Sequence, residues 1–172
     1  MAKFGATEPP IAIRPAIIED VPRLYAMIQK LAAELGASGG LHSSEEDWRR
    51  NGFGPNAKFR SLIAECRGTA VGFATYSPLY LPDLGEDSLA VHQIYVEAAQ
   101  RRRGVAKALL ARIAETAATN KTPLIQIGTT PAASRQRFFE GVGCQVAAGY
   151  ITYLLFGEAL TNLVAPVAEL VS

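Results

Sequence analysis

The sequence is short of several things that special-purpose folds depend on. Its two cysteines, Cys66 and Cys144, lie far apart and fit no metal-ligand spacing. That excludes a disulfide framework and a thiolate zinc site; both read as small buried hydrophobes in a reducing compartment, and no metal is expected. Net charge is also scarce. A formal +1 leaves nothing global to attract nucleic acid or a membrane surface, so any charge-based function must come from a local cluster. No window approaches the about 18 apolar residues of a membrane span, and Met1 to Pro10 lacks the continuous apolar run of a signal peptide. A cytoplasmic protein is expected, with neither membrane nor nucleic acid as partner. With 49% apolar and 19% charged residues the chain is not a disordered one. Its 172 residues suit a single domain, 1–172, that can bury a core. Histidine is limited to His42 and His92.

What is present alternates between two periods. Ile11 to Arg14 is a short strand that Pro15 ends. Val21, Leu24, Tyr25, Ile28, Leu31, Ala32 and Leu35 are spaced by three and four, with Pro22 in the first turn and Gly36 as a stop, and predict an amphipathic helix. Ala37 to Leu41 is a Gly-rich loop, and Ser43 and Ser44 ahead of Glu46 and Asp47 predict a capped second helix reaching Arg50. From Arg60 the period becomes two. Arg60 to Cys66 and Ala70 to Tyr76 are strands joined by Arg67-Gly68-Thr69, and a Pro-containing loop, Ser77 to Asp87, leads to a strand over Leu89 to Val96.

The next helix, Val105 to Ala118, carries an apolar stripe of Ala106, Leu109, Leu110, Ile113 and Ala117. A strand over Leu124 to Thr129, a helix over Ala132 to Val142 and strands over Gln145 to Ala148 and Ile151 to Phe156 complete the core. The apolar tail, Glu158 to Ser172, suits docking on the body or on a second subunit. The order gives an α/β fold, mostly antiparallel at first, with one β-α-β crossover.

Between an apolar strand and this helix stands Gln100-Arg101-Arg102-Arg103-Gly104-Val105-Ala106-Lys107. The first amides of a helix have no internal partner, and that end of the helix carries partial positive charge. Small residues at Gly104 and Ala106 let anionic oxygens approach the backbone, and the arginines add charge, so a diphosphate is the natural ligand. The plain alternative is a solvated Arg-rich turn in which Gly104 only makes the bend. A Rossmann site would need further glycines, and an RNA-binding patch would want interleaved aromatics; neither is present.

Arg101-x-x-Gly104-x-Ala106 resembles the (Gln/Arg)-x-x-Gly-x-(Gly/Ala) signature of the GNAT acetyltransferase superfamily. Ile13-Arg14-Pro15-Ala16 with Asp20 resembles its first strand and helix start, and Phe138-Phe139-x-x-x-Gly143-Cys144 its later Phe-Tyr-x-x-x-Gly-Phe segment. Gly52-Phe53-Gly54, Leu62-Ile63-Ala64-Glu65 and Val71-Gly72-Phe73-Ala74-x-Tyr76 look most like the diamine (spermidine/spermine-type) acetyltransferases. The resemblance implies a mixed, mostly antiparallel sheet of about seven strands flanked by helices. It implies acetyl transfer from acetyl-CoA to a primary amine by direct attack, and a homodimer. The pyrophosphate would rest on the backbone from Arg101, Arg102 and Arg103 through Gly104, Val105, Ala106 and Lys107. Ile94, Tyr95 and Val96 would bond the pantetheine arm as an added strand, and Ser134 and Phe139 would complete the cofactor site. A backbone amide near Ile94 would polarise the thioester carbonyl.

An alkylammonium has a pKa near about 10 and must lose a proton before it attacks. His92 aligns with the carboxylate that the diamine enzymes use as base, and an imidazole suits that task. Strand alternation puts His92, Ile94 and Val96 on one face and Gln93 and Tyr95 on the other, unless a bulge intervenes. The alternative role for His92 is a hydrogen-bonded, half-buried histidine; His42, on a polar loop, has no assigned role. The family's thiolate-protonating tyrosine aligns with Phe139, and its usual Asn with Ala132. Ser134, Tyr95, Tyr150 and Tyr153 are candidate substitutes, and a weakly active or inactive acyl-CoA sensor is the alternative function. Glu45, Glu46, Asp47, Asp83, Glu86 and Asp87 either attract a cationic acceptor or cap a helix and solvate a loop. Trp48 and Tyr76 line the acceptor pocket or belong to the core.

Overall fold

Where the apolar spacing changes from three and four to two, helices give way to sheet, and the sheet divides the molecule into two faces. The computed structural model describes residues 9–36 and 41–147. The chain divides into two units, Met1–Arg135 and Gln136–Ser172. In the first unit β1 (Ile11–Pro15), β2 (Arg60–Cys66), β3 (Thr69–Leu81), β4 (Glu86–Val96) and β5 (Leu124–Ile127) form one sheet in sequence order. The first three pairings are antiparallel and β4–β5 is parallel, as the crossover through α3 (Val105–Thr119) requires. The mixed, mostly antiparallel α/β fold therefore stands, with five strands among the described residues where about seven were expected. Of the two further strands, Gln145 to Ala147 lack regular structure; Ala148 and Ile151 to Phe156 lie outside the described residues, as does the tail from Glu158.

One face of the sheet, through Leu62, Ala64, Ala74, Leu89, Val91 and Val96, packs on Val105, Leu109, Ile113 and Ala117 of α3. Their spacing of four puts one side of the helix on the sheet, and truncating a buried leucine such as Leu109 would cost about 2–5 kcal/mol. The other face, through Ile63, Phe73 and Tyr95, packs on α1 (Val21–Glu34) and on Trp48 of α2 (Glu45–Gly52). Trp48 sits edge-on to Phe59 and Phe73, with centroids at 5.3 and 6.2 Å, and its indole N–H donates to Ser43 Oγ at 3.2 Å. It is a core residue. Tyr76, half-buried, packs against the α3-side core.

The expected loop over Ser77 to Asp87 is mostly strand. β3 continues to Leu81 and β4 begins at Glu86, with the bend closed by the Leu84 and Gly85 amides on the Leu81 carbonyl at 3.1 and 2.8 Å. Pro78 suggested a loop because a proline cannot serve in an interior ladder. Here β2 begins at Arg60, opposite Tyr76, so β3 beyond that point is flanked by β4 alone and tolerates proline.

Two charged assemblies tie the first unit together. Arg14 of β1 grips Asp20 and Glu65, its guanidinium nitrogens lying 2.6 and 3.0 Å from Asp20 and 2.8 and 3.1 Å from Glu65. The Arg14 hydrogen bonds hold the buried Asp20 carboxyl below its ordinary pKa and the guanidinium above its own. At the start of α2, Ser44 and Asp47 form a reciprocal capping box, with hydrogen bonds of 3.2 and 2.9 Å. In the second unit the end of α4 (Ala133–Gly141) closes with the Val142 amide on Phe138 O and the Cys144 amide on Phe139 O, at 3.2 and 2.9 Å. The Phe138 and Phe139 rings meet edge to face at 5.1 Å. Among the described residues no helix is long and apolar enough to cross a membrane.

Candidate active site

β4 is interrupted once. Thr75 pairs with Gln93 and Tyr76 with Val91, so His92 is an extra residue without a partner on β3, a β-bulge. The inserted residue reverses the parity of the strand: Leu89 and Val91 before it, and Ile94 and Val96 after it, all face the α3-side core. The spacing of three between Val91 and Ile94 is the trace of this bulge in the sequence. His92 is exposed, with its Nε2 2.8 Å from Ser77 Oγ. Gln93, beside it, accepts a hydrogen bond from buried Thr75.

Among the described residues, the strand beyond the bulge has β3 as its one neighbour. β5 pairs with β4 only over Ser88–Val91. The Glu97 amide donates to Val71 O on β3 at 2.9 Å, so by the period of two the polar groups of Tyr95 and Gln93 also turn toward β3. Those of Ile94 and Val96 point the opposite way, along an edge that β5 does not cover. Of the three residues expected to bond an extended ligand through the backbone, Ile94 and Val96 therefore have the matching direction. Tyr95 puts its ring into the α1-side core and its hydroxyl 3.3 Å from Glu97, and burial followed by the Glu97 charge pushes its phenol pKa up. A raised pKa and a committed partner make it a poor proton donor to a thiolate.

At the end of this edge the chain turns through Arg101–Gly104 into α3. Gly104 takes φ +81° and Arg102 φ +65°, the left-handed region. No side chain caps α3; the Gly104 carbonyl accepts the first helical bond from the Ala108 amide at 2.9 Å. That leaves the first-turn amides of Val105, Ala106 and Lys107 with no partner inside the helix, on the positive end of a 15-residue dipole. Nothing lies within 4 Å of where a Gly104 side chain would begin, so the glycine serves the left-handed backbone conformation rather than a close contact.

The three arginines divide their work. Arg101 is an anchor. Its Nε donates to the Val96 carbonyl at 2.9 Å, its Nη2 to Glu34 of α1 at 2.5 Å, and its guanidinium lies 5.8 Å from the centroid of the Tyr95 ring. Glu97 extends this cluster to Lys30, 2.8 Å away. Arg102 is exposed on the turn, and Arg103 is half-buried beside Gln100, to whose side chain it donates. Gly72 makes the approach of these parts possible: a Cβ there would stand 2.7 Å from Tyr95 O and 3.3 Å from Val105 Cγ1.

The first unit thus brings His92, Ile94, Val96 and the turn from Arg101 to Lys107 together along one strand and the helix after it. Ser134 is exposed in the first turn of α4, and Phe139 belongs to the second unit. Tyr150 and Tyr153 lie outside the described residues. Glu45 is paired with Arg49 at 2.9 Å, and Asp47 caps α2 and pairs with Arg50 at 2.5 Å, so those two acids serve the helix. Glu46, Glu86 and Asp87 are exposed. Ser77 and the Glu34 partner of Arg101 carry no motif of their own and emerge only from strand register and helix packing, and Gly72, quoted above within a resembling segment, shows its role only here.

Residues 24–143 match the acetyltransferase (GNAT) family. The chain is 26% identical to the thialysine N-epsilon-acetyltransferase of Mus musculus over 163 residues, 88% of this chain and 95% of that protein. It is 30% identical to the Sus scrofa protein of the same name over 115 residues, 62% of this chain and 67% of the relative. Among solved structures it superposes on a predicted acetyltransferase with acetyl-CoA from Clostridium acetobutylicum, with a TM-score of 0.70 and 16% identity, covering 85% of this chain and 97% of that one.

Proposed function

The chain belongs to the acetyltransferase (GNAT) family, as an acetyl-CoA-dependent N-acetyltransferase, and on that premise we propose that its acceptor is a primary amine and its base is His92. The observation that carries the proposal is the alignment, along one strand, of a bulged histidine, an uncovered backbone edge and an uncapped helix N-terminus. The amides of Val105, Ala106 and Lys107 receive the pyrophosphate of acetyl-CoA, with Arg102 supplying charge at the rim. The polar groups of Ile94 and Val96 bond the pantetheine arm as a neighbouring strand would, though the Val96 carbonyl already holds Arg101. An outward amide of this edge stabilises the charge that develops on the thioester oxygen.

The acceptor arrives as an ammonium ion, which has no lone pair. His92 takes its proton, the amine nitrogen bonds to the carbonyl carbon, and the carbon–sulfur bond breaks with the electron pair leaving on sulfur. The second proton on that nitrogen passes to the departing thiolate, directly or through water, and the imidazolium returns its proton to solvent, so a neutral amide, a thiol and one proton are released. No tyrosine hydroxyl is needed for this balance, which accommodates phenylalanine at position 139. The relatives' names put the acetyl group on the Nε of thialysine, and a polyamine, amino acid or related amine is the acceptor class proposed here.

The test is incubation with acetyl-CoA and a panel of amines (thialysine, lysine, spermidine and lysyl peptides) with detection of free thiol. Amine-dependent release supports the proposal. Thermal stabilisation by acetyl-CoA without release from any amine would instead support a binding-only protein of the same fold.

A further inference from the structure

A base must offer a lone pair in a fixed place, and an exposed imidazole on a strand does not do so unaided. A neutral imidazole has one N–H and one lone pair, and the partner of one nitrogen decides which nitrogen keeps the lone pair. In His92 one nitrogen is engaged: Nε2 lies 2.8 Å from Ser77 Oγ. Among the described residues Nδ1 has no hydrogen-bond partner. Ser77 stands on the portion of β3 that extends past β2 and pairs with Ala90, two residues before His92. The bulge lets the imidazole, which has no opposite residue of its own, reach this hydroxyl.

We propose that Ser77 is a positioning residue for the base: its Oγ accepts the Nε2–H of His92, which leaves the Nδ1 lone pair as the atom that takes the proton from the acceptor ammonium. This rests on the reading of His92 as base. The balance is simple. The ammonium N–H bond breaks, an Nδ1–H bond forms, and the imidazolium keeps its Nε2–H on Ser77 throughout, so the serine accepts before and after the transfer. A serine donating to Nε2 would instead put the proton on Nδ1 and leave the base blocked. A threonine hydroxyl could take the same place, whereas alanine would free the ring to rotate and to mix its tautomers.

The chain has two histidines, so nitrogen-15 NMR of the imidazoles reads the tautomer directly, with His92→Ala identifying the His92 signals. The wild type should hold His92 mainly as the Nε2–H form. Ser77→Ala should shift it toward a mixture and lower kcat about tenfold or more, with acetyl-CoA affinity and Tm unchanged; Ser77→Thr should restore both tautomer and rate. A predominant Nδ1–H form in the wild type, or a Ser77→Ala protein with unaltered tautomer and kcat, overturns the role of Ser77. If His92→Ala alone leaves turnover intact, the base assignment itself falls. If His92→Ala loses activity while Ser77→Ala does not, only the serine's part is removed.

Discussion

Before His92, β4 is held on both sides, with Ser88–Val91 paired to β3 and to β5; after it, Gln93–Val96 keep β3 and lose β5. The two halves are equally apolar toward α3, since Leu89 and Val91 and then Ile94 and Val96 fill the same core. Their polar groups differ. In the first half the backbone is spent on the sheet, and in the second every other residue offers it to whatever lies alongside. One inserted residue makes the change, by reversing parity without removing an apolar side chain from the core, and it is also the residue proposed to do the proton chemistry. Bulges recur at functional positions for this reason: they redirect a side chain while the ladder around them persists.

The comparison can be broken most severely at His92. His92→Ala should lower turnover by about 100-fold or more while acetyl-CoA affinity stays within error, because imidazole base catalysis is removed and the cofactor edge is not. Steady-state kinetics beside calorimetric titration of acetyl-CoA would read this, and an unchanged kcat refutes the division of labour. Gly72→Ala attacks the second half only. Its Cβ would meet Tyr95 O at 2.7 Å, against backbone rather than a movable side-chain tip. The expected loss is about 1–3 kcal/mol, seen as a lower Tm, together with weaker acetyl-CoA binding as β4 and the start of α3 move apart.

Gly104→Ala is a gentler cut. The added methyl has room, and the cost is the left-handed backbone, about 1–2 kcal/mol, expected as reduced acetyl-CoA affinity with a KM effect larger than the kcat effect. Arg101→Ala should cost less in stability, because its Glu34 pair is substantially exposed. It should loosen the turn and weaken acetyl-CoA binding in a way that high salt does not reproduce in the wild type, since the bond to the Val96 carbonyl does not depend on ionic strength as a screened pair does.

The smallest effect concerns the far edge of the sheet. Asp20 is held by Arg14 with its folded pKa below the unfolded one. Its contribution to stability is therefore full above the unfolded value of about 3.9 and is lost as pH falls through the folded value. Thermal melts from pH 6 downward should fall in that acid range more steeply for wild type than for Asp20→Asn, which starts lower and flattens.

The sequence was legible where a residue's type and its period agreed. The helix at Val21, the strand Arg60–Cys66 and the helix at Val105 all fall where apolar spacing placed them. The turn at Gly104 was legible as a bend into an apolar helix, and what set the anion reading apart from a plain solvated turn was the resemblance of Arg101-x-x-Gly104-x-Ala106. The extent of β3 was not, because Pro78 signals a loop unless one knows that β2 starts too late to flank it. Ser77 and Glu34 were illegible for a related reason: they matter through partners 15 and 67 residues away, brought close by strand register in the first case and by the packing of α1 in the second. Arg101 was found as part of the motif, but its engagement with Val96, Glu34 and Tyr95 could not be read from spacing.

The central claim is that one bulged strand joins acetyl-CoA binding to deprotonation of an amine, and amine-dependent thiol release by wild type and His92→Ala proteins, both saturated with acetyl-CoA, tests it most directly. The account predicts release by the wild type with at least one primary amine, and loss of most of that rate in His92→Ala despite full acetyl-CoA binding. Equal rates in the two proteins, or no release by the wild type from any amine, would contradict it.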